Sequence, residues 1–131
     1  MEVTFQLEVS EEDIDLLGHV NNAVYVTYLE KGREAWYKEA AGMSFIDMNK
    51  LGIGTVVLRL DITFKNEARL GERLTIVTKP EKIGTKSFVF KQEIFNENDE
   101  LITDAVVTNV MFDSVKRVSV PVIEEIAKHF K

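Results

Sequence analysis

The chain has 131 residues, 45% of them apolar and 29% charged, and a formal net charge of −6. That length fits one domain with a core of its own, and the apolar share is too high for disorder. The acidic excess argues against a nucleic-acid binder. The absence of cysteine removes disulfides, thiolate metal sites and a cysteine nucleophile, and two distant histidines, His19 and His129, argue against a histidine-rich metal site.

Charge is unevenly distributed. From Arg59 to Lys91 eight basic residues stand against four acidic ones, a block of +4 that leaves −10 for the rest. Such a block suits an anionic partner, or equally a solvated strand face whose lysines blunt sheet edges. The N-terminus lacks the basic start and apolar core of a signal peptide, and no apolar run is long enough to span a bilayer. The expected setting is the cytoplasm, without membrane contact.

Residues 2–9 alternate, with Val3, Phe5, Leu7 and Val9 on one face, and predict a half-buried strand. An acidic turn-like passage follows to Asn22. From Asn22 to Ala41 the period becomes helical: Tyr25, Tyr28, Leu29, Gly32, Ala35, Trp36 and Ala40 share a face. Asn21 or Asn22 can cap its start, and Gly42 marks its end. Ser44 and Asp47 are spaced to cap a short second helix that Gly52 closes.

The chain then reads as strands. Val56, Leu58, Leu60, Ile62 and Phe64 alternate with Val57, Arg59, Asp61, Thr63 and Lys65. A second run follows Gly71, a third follows Gly84, and Asn96–Glu100 makes a polar turn. The run Leu101–Phe112 is apolar on both faces and predicts the most buried strand. Pro121 suits the first position of a terminal helix. Consecutive strands with hairpin-length links predict an antiparallel sheet under the long helix, an α+β fold whose other sheet face is left to solvent or a second subunit.

The segment Asp13-Ile14-Asp15-Leu16-Leu17-Gly18-His19-Val20-Asn21-Asn22 joins the first strand to the helix. It sets carboxylates and a glycine against a helix start, whose unpaired N–H groups and dipole stabilise a developing oxyanion. A nearby carboxylate can attack a carbonyl or activate water. The same residues also serve as plain caps and turn formers. His19 reads first as a hydrogen-bonded turn residue, and Tyr25 as a core or interface aromatic.

This segment, continued through Tyr25, Tyr28-Leu29-Glu30 and Arg33, resembles the signature of the 4-hydroxybenzoyl-CoA thioesterase-like family. Ile53-Gly54-Thr55-Val56-Val57, Ala68-Arg69-Leu70-Gly71-Glu72, Gly84-Thr85-Lys86-Ser87-Phe88 and Val110-Met111-Phe112-Asp113 resemble later family segments in the same order. Glu67 stands where the family carries a proline.

The resemblance implies one hotdog domain over residues 1–131, a long central helix packed on a curved antiparallel sheet. It implies hydrolysis of acyl-CoA or acyl carrier protein thioesters. Asp15 then serves as nucleophile or general base, the Asn22 N–H as oxyanion donor, and Gly18 belongs to the same loop. Asp13 shapes the loop, while Tyr25, Arg69, Lys86 and Ser87 are candidates for substrate binding. No metal or cofactor is implied, since coenzyme A enters as part of the substrate. Hotdog domains pair into dimers and often tetramers, with sites formed between subunits. The alternatives are a non-catalytic acyl-CoA binding module, or a hotdog hydratase or dehydratase using His19 with Asp15.

Overall fold

One helix organises the molecule. Asn21 turns its Oδ1 onto the Ala23 N–H at 2.9 Å and starts α1, Asn22–Trp36. The structure, a computed structural model, describes residues 1–130. The helix continues as a π-helical turn, Tyr37–Ala41, and stops at Gly42 in the left-handed region (φ 72°). The predicted 22–41 helix is thus one element with a widened last turn. Ser44 caps α2, Phe45–Lys50, through the Asp47 N–H at 3.0 Å.

The strands are β1 Val3–Glu8, β2 Ile53–Phe64, β3 Arg73–Ile83, β4 Ser87–Phe95, β5 Leu101–Asp113 and the short β6 Val118–Ser119. They form one antiparallel sheet in the order β1-β3-β4-β5-β2, with β6 also on β5. The strands therefore do not pair in simple succession. One edge of β3 is taken by β1 and the other by β4, so β2 crosses to the free edge of β5.

The predicted single alternation of β2 is also broken. Val57 pairs with Asn109 and Arg59 with Thr108, which leaves Leu58 as the extra residue of a bulge. Directly opposed residues share a face. Leu60 and Ile62, opposite Val107 and Ala105, therefore face the helix, whereas Val56 points outward and Val57, opposite Asn109, stays exposed.

Along β5 only one face is closed. Ala105, Val107 and Met111 are buried, whereas Val106 is exposed on the outer face, as are Val56 and Leu58 of β2. Among the described residues no second layer covers that side, so the expected two-faced burial is not met within one copy.

The buried stripe of α1 is Tyr25, Tyr28, Leu29, Gly32, Arg33 and Trp36. Gly32 permits the close approach to β3, since a Cβ there would lie 2.5 Å from Ile76 Cγ2. Arg33 joins the stripe because its Nη1 donates to Gln92 Oε1 (3.1 Å), while Gln92 Nε2 donates to Thr78 Oγ1 (2.8 Å) and the Leu29 carbonyl (3.0 Å). Two core clusters result. Tyr25, Tyr28 and Leu29 meet aliphatic side chains, and Trp36 and Tyr37 meet Phe88, Phe90 and Met111.

Pro121 does not open the last helix. Val120 N–H donates to the Met111 carbonyl and Val122 N–H to that of Thr85, which keeps the chain extended there. The helix α3, Glu124–Ala127, begins after Ile123. Among the described residues no helix is long and apolar enough to cross a membrane.

Candidate active site

The loop from Ser10 to Asn21 is built from short-range hydrogen bonds. Asp13 Oδ2 accepts from the Ser10 N–H (3.3 Å), the Ser10 hydroxyl (3.1 Å) and the Tyr28 hydroxyl (2.7 Å). Burial pushes the Asp13 carboxyl up, but the Tyr28 and Ser10 bonds, with Lys31 nearby, outweigh it and hold the group below the usual carboxylate range. Burial foremost, then the bond to Asp13, pushes the Tyr28 phenol up.

Asp15 heads a tight turn. Its N–H donates to the His19 carbonyl and its carbonyl accepts from Gly18 N–H, at 3.0 and 3.1 Å. Gly18 has φ 86°, a conformation that favours glycine. Asp15 Oδ1 accepts from Leu17 N–H (2.9 Å), and Oδ2 lies 3.9 Å from His19 Nδ1. The same Nδ1 lies 3.1 Å from the Val20 carbonyl. A carbonyl only accepts, so in this contact Nδ1 is the donor.

The loop is pinned to the link between β2 and β3. Val20 N–H donates to the Ala68 carbonyl, and Ala68 N–H donates to the Tyr25 hydroxyl, both at 2.9 Å. Burial foremost pushes the Tyr25 phenol up. At the helix start Asn21 takes the Ala23 and Val24 N–H groups. The Asn22 N–H has no acceptor among the described residues. Asn22 is one of the residues lining a cavity of about 280 Å³, with His19, Val20, Tyr25, Phe64, Lys65, Asn66 and Glu67.

The expected residues fall in four places. Asn22 and Tyr25 line the cavity, with the Tyr25 hydroxyl already engaged by Ala68. Asp15 and Gly18 lie in the turn beside it. Asp15 does not line the cavity but meets the imidazole of His19, which does. Arg69 is held by Glu67 Oε1 through Nε (3.0 Å) and Nη2 (2.6 Å). Lys86 is exposed and Ser87 half-buried at the start of β4. Ser87 pairs with Val110 whereas Phe64 pairs with Thr103, so they lie roughly 23 Å apart along β5. Within one copy these two are not brought to the cavity.

Lys65, Asn66 and Glu67 line the cavity without having been assigned a role from sequence. Their signal was position: they directly precede Ala68, the residue that ties this link to Tyr25 and Val20.

A sequence model of the Thioesterase-like superfamily matches residues 9–130. The chain belongs to this superfamily. Among its relatives, the long-chain acyl-CoA thioesterase FadM of Escherichia coli is 32% identical over 109 residues, covering 82% of this chain and 81% of FadM. The chloroplastic acyl-acyl carrier protein thioesterase ATL2 of Arabidopsis thaliana is 31% identical over 113 residues, covering 86% of this chain and 60% of ATL2. The solved structure of the DHNA-CoA thioesterase from Staphylococcus aureus is similar at a TM-score of 0.84 and 27% identity, over 92% of this chain and 80% of that one. The curled antiparallel sheet around a long helix is the hotdog fold of these superfamily members.

Proposed function

We propose that the protein hydrolyses acyl thioesters of coenzyme A or acyl carrier protein to the free acid and the thiol. The observation that carries this reading is a helix start, with the Asn22 N–H left without an acceptor, at a cavity that Asn22 and His19 line and that the Asp15–His19 contact flanks. The thioester carbonyl oxygen accepts from Asn22 N–H. Its developing negative charge is stabilised by the positive end of α1. Asp15 either attacks the carbonyl, giving a mixed anhydride that water then hydrolyses, or draws a proton from the water that attacks the carbonyl. In both routes the C–S bond breaks, the acyl carbon keeps the water oxygen, and the departing thiolate takes up a proton from that water. The named activities of FadM and ATL2 support both carriers.

The site is completed by a second copy in this reading. The outer edge of β2 is unpaired and exposes Val56, Val57 and Leu58. Antiparallel pairing of two copies along it brings the second copy's β4 start, with Lys86 and Ser87, toward this chain's cavity. Dimers can pair again through the open sheet face.

The test is thiol release from a panel of short, long and aryl acyl-CoAs and one acyl carrier protein thioester. Wild-type protein releases thiol and Asp15→Ala does not, with unchanged melting. Undiminished release in Asp15→Ala overturns the role of Asp15. Binding without release in the wild type makes the protein an acyl-CoA binding module.

A further inference from the structure

Glu67 and Arg69 meet at the mouth of the cavity. Glu67 lines it with His19 and Asn22, and the Nε and Nη2 of Arg69 converge on Glu67 Oε1 alone. The Arg69 backbone is held separately, its N–H donating to Glu72 Oε1 at 3.2 Å. The guanidinium is thus neutralised by one oxygen of an exposed acid and keeps most of its N–H donors unused. Beyond Glu67 lies a depression of about 390 Å³ whose lining includes Glu72, Glu97 and Glu100. An anion approaching the cavity therefore meets acids on one side, the already occupied Arg69 on the other, and Lys65 in the lining itself.

Such an exposed pair is weakly held. A phosphate offers a guanidinium two parallel charge-assisted bonds and more negative charge than a carboxylate. We propose that Glu67 is a selectivity residue that competes with the phosphate of the substrate's carrier for Arg69. In the free protein Glu67 occupies the guanidinium. When a phosphate-bearing carrier docks, Arg69 passes to the phosphate and the Glu67 carboxylate is left facing His19. Arg69 foremost, and His19 to a smaller degree, already hold the Glu67 carboxyl below its usual range, which fits an acid placed between the two. Carrier binding is then weaker than Arg69 alone would give, and the difference is confined to the phosphate.

This inference rests on the carrier being a phosphate ester, as under the proposed function. Its test is a set of binding measurements. Coenzyme A and pantetheine, which has no phosphate, are titrated calorimetrically into the wild type, Glu67→Ala, Arg69→Ala and the double variant. Both side chains are largely exposed, so folding is not at stake; melting curves check this. Glu67→Ala is expected to tighten coenzyme A binding by about three- to fivefold, the scale of an exposed ion pair. Pantetheine binds it and the wild type alike. Arg69→Ala weakens coenzyme A binding, and adding Glu67→Ala to it gains nothing further. Unchanged coenzyme A affinity in Glu67→Ala, an equal gain for pantetheine, a gain that persists without Arg69, or no coenzyme A binding by any variant overturns the proposal. Thiol release is read separately, so failure of the hydrolase reading leaves the affinity comparison standing.

Discussion

The two ends of α1 are held in opposite ways. At the Trp36 end the indole meets Tyr37, Phe90, His129 and Phe130 with ring centroids between 4.9 and 5.8 Å apart. Its Nε1 donates to the Met1 carbonyl at 2.9 Å, and His129 Nε2 lies 2.8 Å from the Ala40 carbonyl. At the Asn22 end the rings of Tyr25 and Tyr28 are buried, but their hydroxyls are turned onto Ala68 and Asp13. Beyond them the loop tip exposes Leu16 and Leu17. One end is fixed by contact area, which many neighbours share. The other is fixed by a few directional bonds, so a single atom there can move the turn that carries Asp15.

The largest expected loss tests the aromatic end. Trp36→Ala removes a fully buried indole and should cost about 3–5 kcal/mol, measured by urea unfolding. Turnover per folded molecule should stay near wild type. A matching fall in turnover would show that the two ends are not separable.

A smaller loss tests the loop end. Tyr28→Phe removes the 2.7 Å bond to Asp13 and should cost about 1.5–3 kcal/mol, as for bonds to charged groups. Here turnover should fall with stability. The Asp13 carboxyl is held below its ordinary value in the folded protein, so it adds stability above about pH 4 and loses it as pH falls through the depressed value. The stability gap between wild type and Asp13→Asn should narrow on acidification; a constant gap would assign Asp13 a purely steric role.

The smallest effect on stability is expected at Gly18. A Cβ there meets nothing within 4 Å, so Gly18→Ala carries only the left-handed backbone cost of about 1–2 kcal/mol. Its kcat/KM should drop by more than its melting shift explains. Unchanged kinetics would mean that the turn tolerates movement around Asp15.

What the sequence made legible was local. The 22–41 helix and the Ser44-capped α2 follow from spacing and caps a few residues apart, and the loop-to-helix constellation lies within one short segment. Pairing partners were not legible. The strand next to β2 is decided by which edges β1 and β4 leave free, and the Leu58 bulge shows only against β5. Arg33 has no place on the apolar face read from the sequence, because its burial depends on Gln92 from β4. Lys65, Asn66 and Glu67 became cavity residues because Ala68 folds back onto Tyr25, a contact between residues far apart in the chain. The separation of Lys86 and Ser87 from Asn22 likewise depends on register along β5.

The crossing of β2 to the far edge has a consequence in time. During synthesis the residues of β2 emerge 39 (Phe64 to Thr103) to 60 (Ile53 to Asp113) residues before their partners on β5, which at ordinary elongation rates is an interval of about 2–12 s. Throughout it the apolar stretch Val56–Leu58 lies on a strand with no neighbour on either side. Closure of the sheet waits for β5, so the ribosome, rather than the search for contacts, sets the earliest moment at which the curl can form around α1.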